Sequence, residues 1–265
     1  MEANPKSGTD EMIKELVRLG VTRFSVGMQA FDQRFLKALD RIHSLEEGKT
    51  FLQNLSKSKN NFSIDLMLGL PFSEAYRRDI ITELKMALDH EPKHLSLYIL
   101  TTKENYCHRD HLPSEEYIAD EYLKVAEYLK SQGLNHYEVS NFSQPGFECQ
   151  HNLKYWQSES VAALGPSGTG FLNFENKKGL RYKWKNKEMS FSQENLDQEA
   201  LNLEKIYLSL RTKNGISLTN NSLKSLSCSW EKRNLGIRKE DWFHLNSNGF
   251  LILDSLMNEI FAHPN

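Results

Sequence analysis

The chain has 265 residues, 39% hydrophobic and 26% charged, which is enough apolar content for a substantial core and excludes disordered and fibrous classes. Thirty-three Lys and Arg against 35 Asp and Glu give a formal charge of −2. Such a balance offers no global field for gripping nucleic acid, allows at most peripheral membrane contact, and requires any anion site to be local. No apolar run approaches the roughly 18 residues of a membrane span, and Met1 to Asp10 lack the charged-then-apolar layout of a signal peptide, so a cytoplasmic protein is expected.

Thr9-Asp10-Glu11 predicts a helix start, Ile13, Leu16 and Val17 follow at helical spacing, and Gly20 suits the helix end. From Thr22 to Gln29, Phe24, Val26 and Met28 alternate with Ser25, Gly27 and Gln29, the period of a half-buried strand. Asp32 and Ser44 open two helices, the second with a capping box through Glu47 and a buried stripe of Leu45, Phe51, Leu52 and Leu55. Phe62 to Leu70 reads as an apolar strand broken by Pro71, and Ser73 to His90 as a helix. A strand at His94–Thr101, a helix at Ser114–Gln132 and a strand at His136–Phe142 complete the alternation. Strands alternating with helices predict parallel β-α units, in a barrel or a doubly wound sheet.

In such architectures the chemistry gathers at the C-terminal strand ends. Glu2, Gln29, Asp65, Thr101, Thr102, Glu138 and Asn141 fall there and are expected to form one constellation. Asp65 is the sharpest signal, because an ionised carboxylate within Ile64-Asp65-Leu66-Met67-Leu68 must be paired or face a polar cavity. It is either a ligand-binding residue or a structural carboxylate held by backbone amides. Arg41 is either a solvated helix-end cation or a bidentate partner for Asp65 or for a ligand carboxylate. Gln29 is a strand-end amide suited to a ribose hydroxyl or a carboxylate. His43, His94 and His136 are read as structural or solvated.

Cys107, Cys149 and Cys228 lie 42 and 79 positions apart, too far for a zinc or redox motif. Pro145 to Trp156 gathers Cys149, His151, Asn152, Tyr155 and Trp156 on what reads as one loop. The two soft donors suit iron, and the two aromatics suit a flat macrocycle; the alternative is an Ω-like loop pinned by its own aromatics. The small residues Gly165 to Gly170 would let a ligand approach the backbone. From Lys177 onwards Lys178, Arg181, Lys183, Lys185 and Lys187 run without an acid, which predicts a two-faced exposed strand with Tyr182 and Trp184 behind it. The basic face is either a solvated edge or a contact for carboxylates or lipid headgroups. A helix over Asn195–Leu210 and a helical tail with an Asn248-Gly249 turn close a small second domain.

Glu2-Ala3-Asn4-Pro5, Ser25-Val26-Gly27-Met28-Gln29-Ala30-Phe31-Asp32, Leu39-Asp40-Arg41-Ile42-His43-Ser44, Ile64 to Pro71 and Leu95-Ser96-Leu97-Tyr98 together resemble radical S-adenosylmethionine (SAM) proteins of the oxygen-independent coproporphyrinogen III oxidase group. His136 to Phe142, followed by Pro-Gly-Phe-Glu-Cys and His-Asn-x-x-Tyr-Trp, is more similar to the HemW branch, the heme chaperones. The resemblance implies an α/β fold: a partial parallel (β/α) barrel lacking its first units over 1–172, then a small α-rich C-terminal domain with a basic hairpin over 173–265. It implies that Glu2, Gln29, Arg41 and Asp65 line a SAM pocket, with Thr101 and Thr169 at weaker positions. It further implies that His151, Asn152, Tyr155 and Trp156 form the heme-branch signature, with a heme-accepting protein as partner. Family members carry Cys-x-x-x-Cys-x-x-Cys ahead of the position of Glu2, where this chain begins, so an N-terminal truncation is expected and no ligand set for a [4Fe-4S] cluster remains. The family's Gly-Pro-Gly-Ala-His-Ser reads here Gly165-Pro166-Ser167-Gly168-Thr169-Gly170. Three readings stay open: a heme chaperone, a porphyrinogen-oxidising radical enzyme, and an inactive remnant.

Overall fold

The computed structural model describes residues 1–174, 178–186 and 190–262; Lys177 and Lys187 of the basic run lie outside them. The chain divides into two compact units, Met1–Glu148 and Cys149–Asn265.

The first unit contains β1 (Glu2–Ala3), α1 (Asp10–Arg18), β2 (Phe24–Gln29), α2 (Gln33–Ala38), α3 (Leu45–Lys57), β3 (Phe62–Leu68), α4 (Ile80–Leu88), β4 (His94–Ile99), α5 (Glu115–Ser131), β5 (Asn135–Glu138) and β6 (Asn141–Ser143). Each helix starts where a side-chain oxygen satisfies an orphan amide. Thr9 accepts from the Met12 amide, Asp32 from Arg34, Asp79 from Thr82 and Ser114 from Tyr117, and Ser44 with Glu47 forms the full capping box. One six-stranded sheet runs β1-β2-β3-β4-β6-β5, with the first four strands parallel. Phe24, Val26 and Met28, then Phe62, Ile64, Leu66 and Leu68, are buried on one face, and the helices bury Ile13, Phe51, Leu52, Leu55, Leu84, Val125 and Leu129. Each such side chain contributes about 1.5–3 kcal/mol on leaving water. The other face presents Ser25, Gly27, Gln29, Ser63, Asp65, Ser96 and Tyr98.

Two expectations for this unit are corrected. The last strand, His136–Phe142, is two short strands: β6 pairs antiparallel with β4, and β5 antiparallel with β6, so the sheet ends in a hairpin rather than a further parallel unit. The Ser140 carbonyl, in the turn between them, accepts the Leu97 amide. The helix expected from Ser73 begins only at Ile80. Phe72 and Arg77 take left-handed backbone, at φ 67° and 50°, which interrupts any helix there. The break turns Arg78 inward, its guanidinium buried against Glu83.

The second unit contains α6 (Gln150–Trp156), β7 (Thr169–Phe174), β8 (Lys178–Trp184), β9 (Phe191–Leu196), α7 (Gln198–Leu210), β10 (Ile216–Ser217), α8 (Asn221–Lys232), β11 (Gly236–Lys239), β12 (Trp242–Leu245), α9 (Ser247–Leu251) and α10 (Leu253–Ala262). Two three-stranded antiparallel sheets, β7-β8-β9 and β10-β12-β11, sit among the helices. Residues 149–172 belong to this unit: Val161 bridges Phe171, and the Tyr182 hydroxyl accepts from the Ala163 amide at 2.8 Å, so the unit starts at Cys149 and not at 173. The stretch read as a loop is in part the helix α6. The basic strand is not an edge, because β8 is the centre of its sheet. Asn248 and Gly249 lie inside α9, capped by Asn246, not in a turn.

Candidate functional site

The polar face of the first unit is built by register. Glu2 pairs with Ser25 and Ser25 with Ser63; two residues on, Asp65 pairs with Ser96, Ser96 with Asn141 and Asn141 with Glu138. Small polar side chains at every second position are what let carboxylates stand between strands. Ser25 Oγ lies 2.8 Å from Ser63 Oγ and donates to both Asp65 oxygens at 3.0 and 3.1 Å. Asn141 Nδ2 donates to Glu138, and the buried Asn141 Oδ1 has no partner among the described residues. Burial pushes Asp65 up to about 6, against hydrogen bonds from Ser96 and Ser25 and the charge of Arg23 that favour its ionised form. The Tyr98 hydroxyl is raised by burial and then by the Asp65 charge. His94, bonded to the Tyr137 hydroxyl at 2.8 Å, is lowered by burial to about 3 and is neutral, as is His136 at about 4.

Gln29 and Arg41 converge on Gly27. A Cβ there would stand 2.9 Å from Gln29 Nε2 and 3.3 Å from an Arg41 terminal nitrogen, which donates to the Gly27 carbonyl at 3.2 Å. Gln29 holds left-handed backbone at φ 68°, a conformation costing about 1 kcal/mol or more and found mainly where a site needs it. Arg41 Nε is buried with no partner among the described residues. The expected Asp65–Arg41 pairing is replaced by Asp65 on the serines and Arg41 on the Gly27 carbonyl. Thr101 is exposed, two residues past β4. Sequence reasoning passed over Arg23, Ser25, Ser96 and Tyr98, although the serines stand at the alternate positions that mark the polar face.

The raised carboxyl of Asp65 has a consequence for stability. An ordinary aspartate ionises near 3.8 and Asp65 near 6, so between these values the unfolded chain has released a proton that the folded chain keeps. The penalty is absent below the lower value and fully present above the upper one. Asp65→Asn is therefore expected to unfold at higher urea than the parent at pH 8, by on the order of 2 kcal/mol after screening, with the difference shrinking towards pH 5. A difference independent of pH would contradict the buried, costly ionisation.

The second unit holds a cavity of about 330 Å3 lined by Asn152, Tyr155 and Trp156 of α6, by Ser158 and Glu159 after it, by Thr169, Gly170 and Phe171 of β7, by Arg181 of β8, and by Glu204 and Leu208 of α7. That size suits a small organic ligand. Trp156 lies under the Arg211 guanidinium, 4.6 Å from its ring centroid. His151 is exposed one turn before Tyr155 and meets it edge-on at 5.0 Å, and Cys149 precedes α6 at its cap position; neither lines the cavity. Thr169, expected at a weaker SAM position, lines this cavity beside Asn152, Tyr155 and Trp156. Among the described residues no three of His, Cys, Asp and Glu gather to hold a metal ion. The three thiols are separate, Cys107 exposed and Cys149 and Cys228 half-buried, and do not fit a [4Fe-4S] cluster.

Residues 1–84 match the radical SAM superfamily. The heme chaperone HemW of Lactococcus lactis is 33% identical over 252 residues, covering 88% of this chain and 64% of the relative. HemW of Escherichia coli is 33% identical over 185 residues, covering 68% of this chain and 48% of the relative. The chain belongs to the radical SAM superfamily. Within it, the chain groups with HemW. The structure of the Escherichia coli coproporphyrinogen III oxidase HemN, a radical SAM enzyme, superposes with a TM-score of 0.74 over 97% of this chain and 68% of that one, at 16% identity, which shows a shared fold. The chain spans about half to two thirds of the length of these HemW relatives. Radical SAM proteins in general use SAM and a [4Fe-4S] cluster, and no described helix is long and apolar enough to cross a membrane.

Proposed function

We propose that this chain is a HemW-like protein that binds heme in the cavity of its second unit and SAM on the polar face of its first. The observation that carries the heme reading is the cavity itself: its walls include Tyr155, Trp156 and Asn152 of the His-Asn-x-x-Tyr-Trp signature and the small Gly170. Aromatic faces take the plane of a macrocycle, and a residue without Cβ lets it approach the strand. His151, exposed one turn before Tyr155 on the same helix and outside the cavity lining, would donate a nitrogen to the iron of a heme that extends beyond the cavity, with Cys149 two residues earlier as a sulfur donor. A heme so bound is cargo for an acceptor protein.

SAM fits the first unit. The left-handed Gln29, the Gly27 position on which the Gln29 and Arg41 side chains converge, and the buried Arg41 Nε prepare one end of a site, and the half-buried Asp65 with Glu2 prepares the other. Arg41 holds a carboxylate, Gln29 a carboxylate or ribose hydroxyl, Glu2 accepts a hydrogen bond, and Asp65 faces the cationic part. SAM supplies an adenosyl group to the chemistry of the superfamily. No residue set here fits the cluster that such chemistry uses, and the binding roles are the ones these side chains perform.

The test is titration of the chain with hemin, followed by the Soret band. Saturable binding is expected, with His151→Ala moving the band because the axial donor is lost. No saturable binding overturns the reading.

A further inference from the structure

The ligand cavity of the second unit carries its own competitor for a ligand carboxylate. Among the described lining residues Arg181 is the cation, while two others, Glu159 and Glu204, are acids. Arg181 is committed: one terminal nitrogen donates to Glu194 at 2.7 Å across the sheet, and the other donates to Glu204 of α7. The Arg181–Glu204 pair is only partly exposed, at 34% and 28%, and it ties β8 to the helix that closes the cavity. Among the described residues, an anionic planar ligand thus meets two acids, of which Glu159 has Lys154 beside it at 4.0 Å, and a guanidinium that is already occupied.

Resting on the heme reading of this cavity, we propose that Glu204 is a specificity-determining latch: a carboxylate of a planar dicarboxylate ligand binds by displacing Glu204 from Arg181. The exchange is carboxylate for carboxylate, so the guanidinium keeps a bidentate-capable partner throughout. Displacement also removes this ion pair between α7 and β8, so occupancy and the tightness of that wall are coupled. The latch sets a threshold: a neutral planar ligand leaves the ion pair intact and gains nothing from Arg181, and a dicarboxylate gains only the difference between its own contact and that of Glu204.

The experiment compares hemin with its dimethyl ester on the full chain and on variants, by Soret titration. Glu204→Gln keeps an amide oxygen for Arg181 but removes the competing charge. It is expected to bind hemin about fivefold more tightly, the range of a partly exposed ion pair, with affinity for the ester unchanged. Glu159→Gln, which removes a charge from the same wall without touching Arg181, separates the latch from a general field effect and is expected to change hemin affinity less than twofold, as a half-solvated charge does. In an Arg181→Gln background, Glu204→Gln is expected to have no further effect on hemin. Equal hemin affinity in parent and Glu204→Gln, equal gains from Glu159→Gln and Glu204→Gln, or equal gains for hemin and ester, each overturn the latch while leaving the cavity as the heme site. Absence of saturable hemin binding to the parent overturns both.

Discussion

Glu83→Ala is expected to lower the stability of the chain by about 3–5 kcal/mol, the cost of leaving a buried charge without its partner. Arg78 has no exposed side-chain surface and Glu83 only 7%. Arg78 Nε donates to Glu83 Oε1 at 2.6 Å and a terminal nitrogen to Oε2 at 3.1 Å; its other terminal nitrogen donates to the Met67 carbonyl at 2.7 Å. Glu83 Oε2 also accepts the Phe31 amide at 2.6 Å. Two side chains thus tie the first turn of α4 to the end of β3 and to the exit of β2, the strands that carry Asp65 and Gln29. Glu121 is held up to about 7, chiefly by burial and further by the Glu83 charge, against the pull of Arg78. Removing Glu83 takes away a charge that raises Glu121, so the Glu121 carboxyl falls and part of the loss is recovered above neutral pH. Urea unfolding at pH 6 and pH 8 reads both effects. A loss below about 1 kcal/mol would show a pair no stronger than a surface one, and an apolar replacement of both residues is expected to restore most of the stability.

Trp156→Ala is expected to weaken hemin binding about 100-fold, the loss typical of truncating an aromatic anchor. Trp156 combines a wall of the cavity with a ring held by the Arg211 guanidinium, which in turn donates to the Tyr207 hydroxyl at 2.8 Å. The ring is therefore fixed before a ligand arrives, and little entropy is lost on binding. Trp156→Phe keeps an aromatic face and is expected to lose about tenfold or less on the same scale. Thermal melts of the variants separate a lost contact from a lost fold. Hemin affinity within twofold of the parent in Trp156→Ala would remove the cavity as the site.

The helix starts were legible in the sequence because caps are local: Thr9, Asp32, Ser44 and Ser114 each satisfy an amide within three residues. The parallel strands were legible because Phe24-Val26-Met28 and their neighbours alternate with small polar residues. The Ser73–Asp79 break was hidden, because it depends on an ion pair whose burial is settled by tertiary packing, and Tyr76, within the predicted Ser73–His90 helix, is exposed. The β5–β6 hairpin was hidden for a similar reason: nothing local to Glu138-Val139-Ser140-Asn141 fixes the antiparallel direction, which β4 imposes. At the candidate site, Asp65 and Arg41 stood out by type and place, but their partners did not, since Ser25 and Ser96 reach Asp65 only through strand register. Arg181 was visible as one of a basic run, and its commitment to Glu194 and Glu204 required the fold.

Hydrogen exchange of the chain with and without hemin tests the central claim most directly. The account predicts slowed exchange at α6, β7 and β8, residues 150–156, 169–174 and 178–184, which with α7 carry the cavity walls. Protection falling instead on the first unit, with α6 and the β7–β8 pair unchanged, would contradict it.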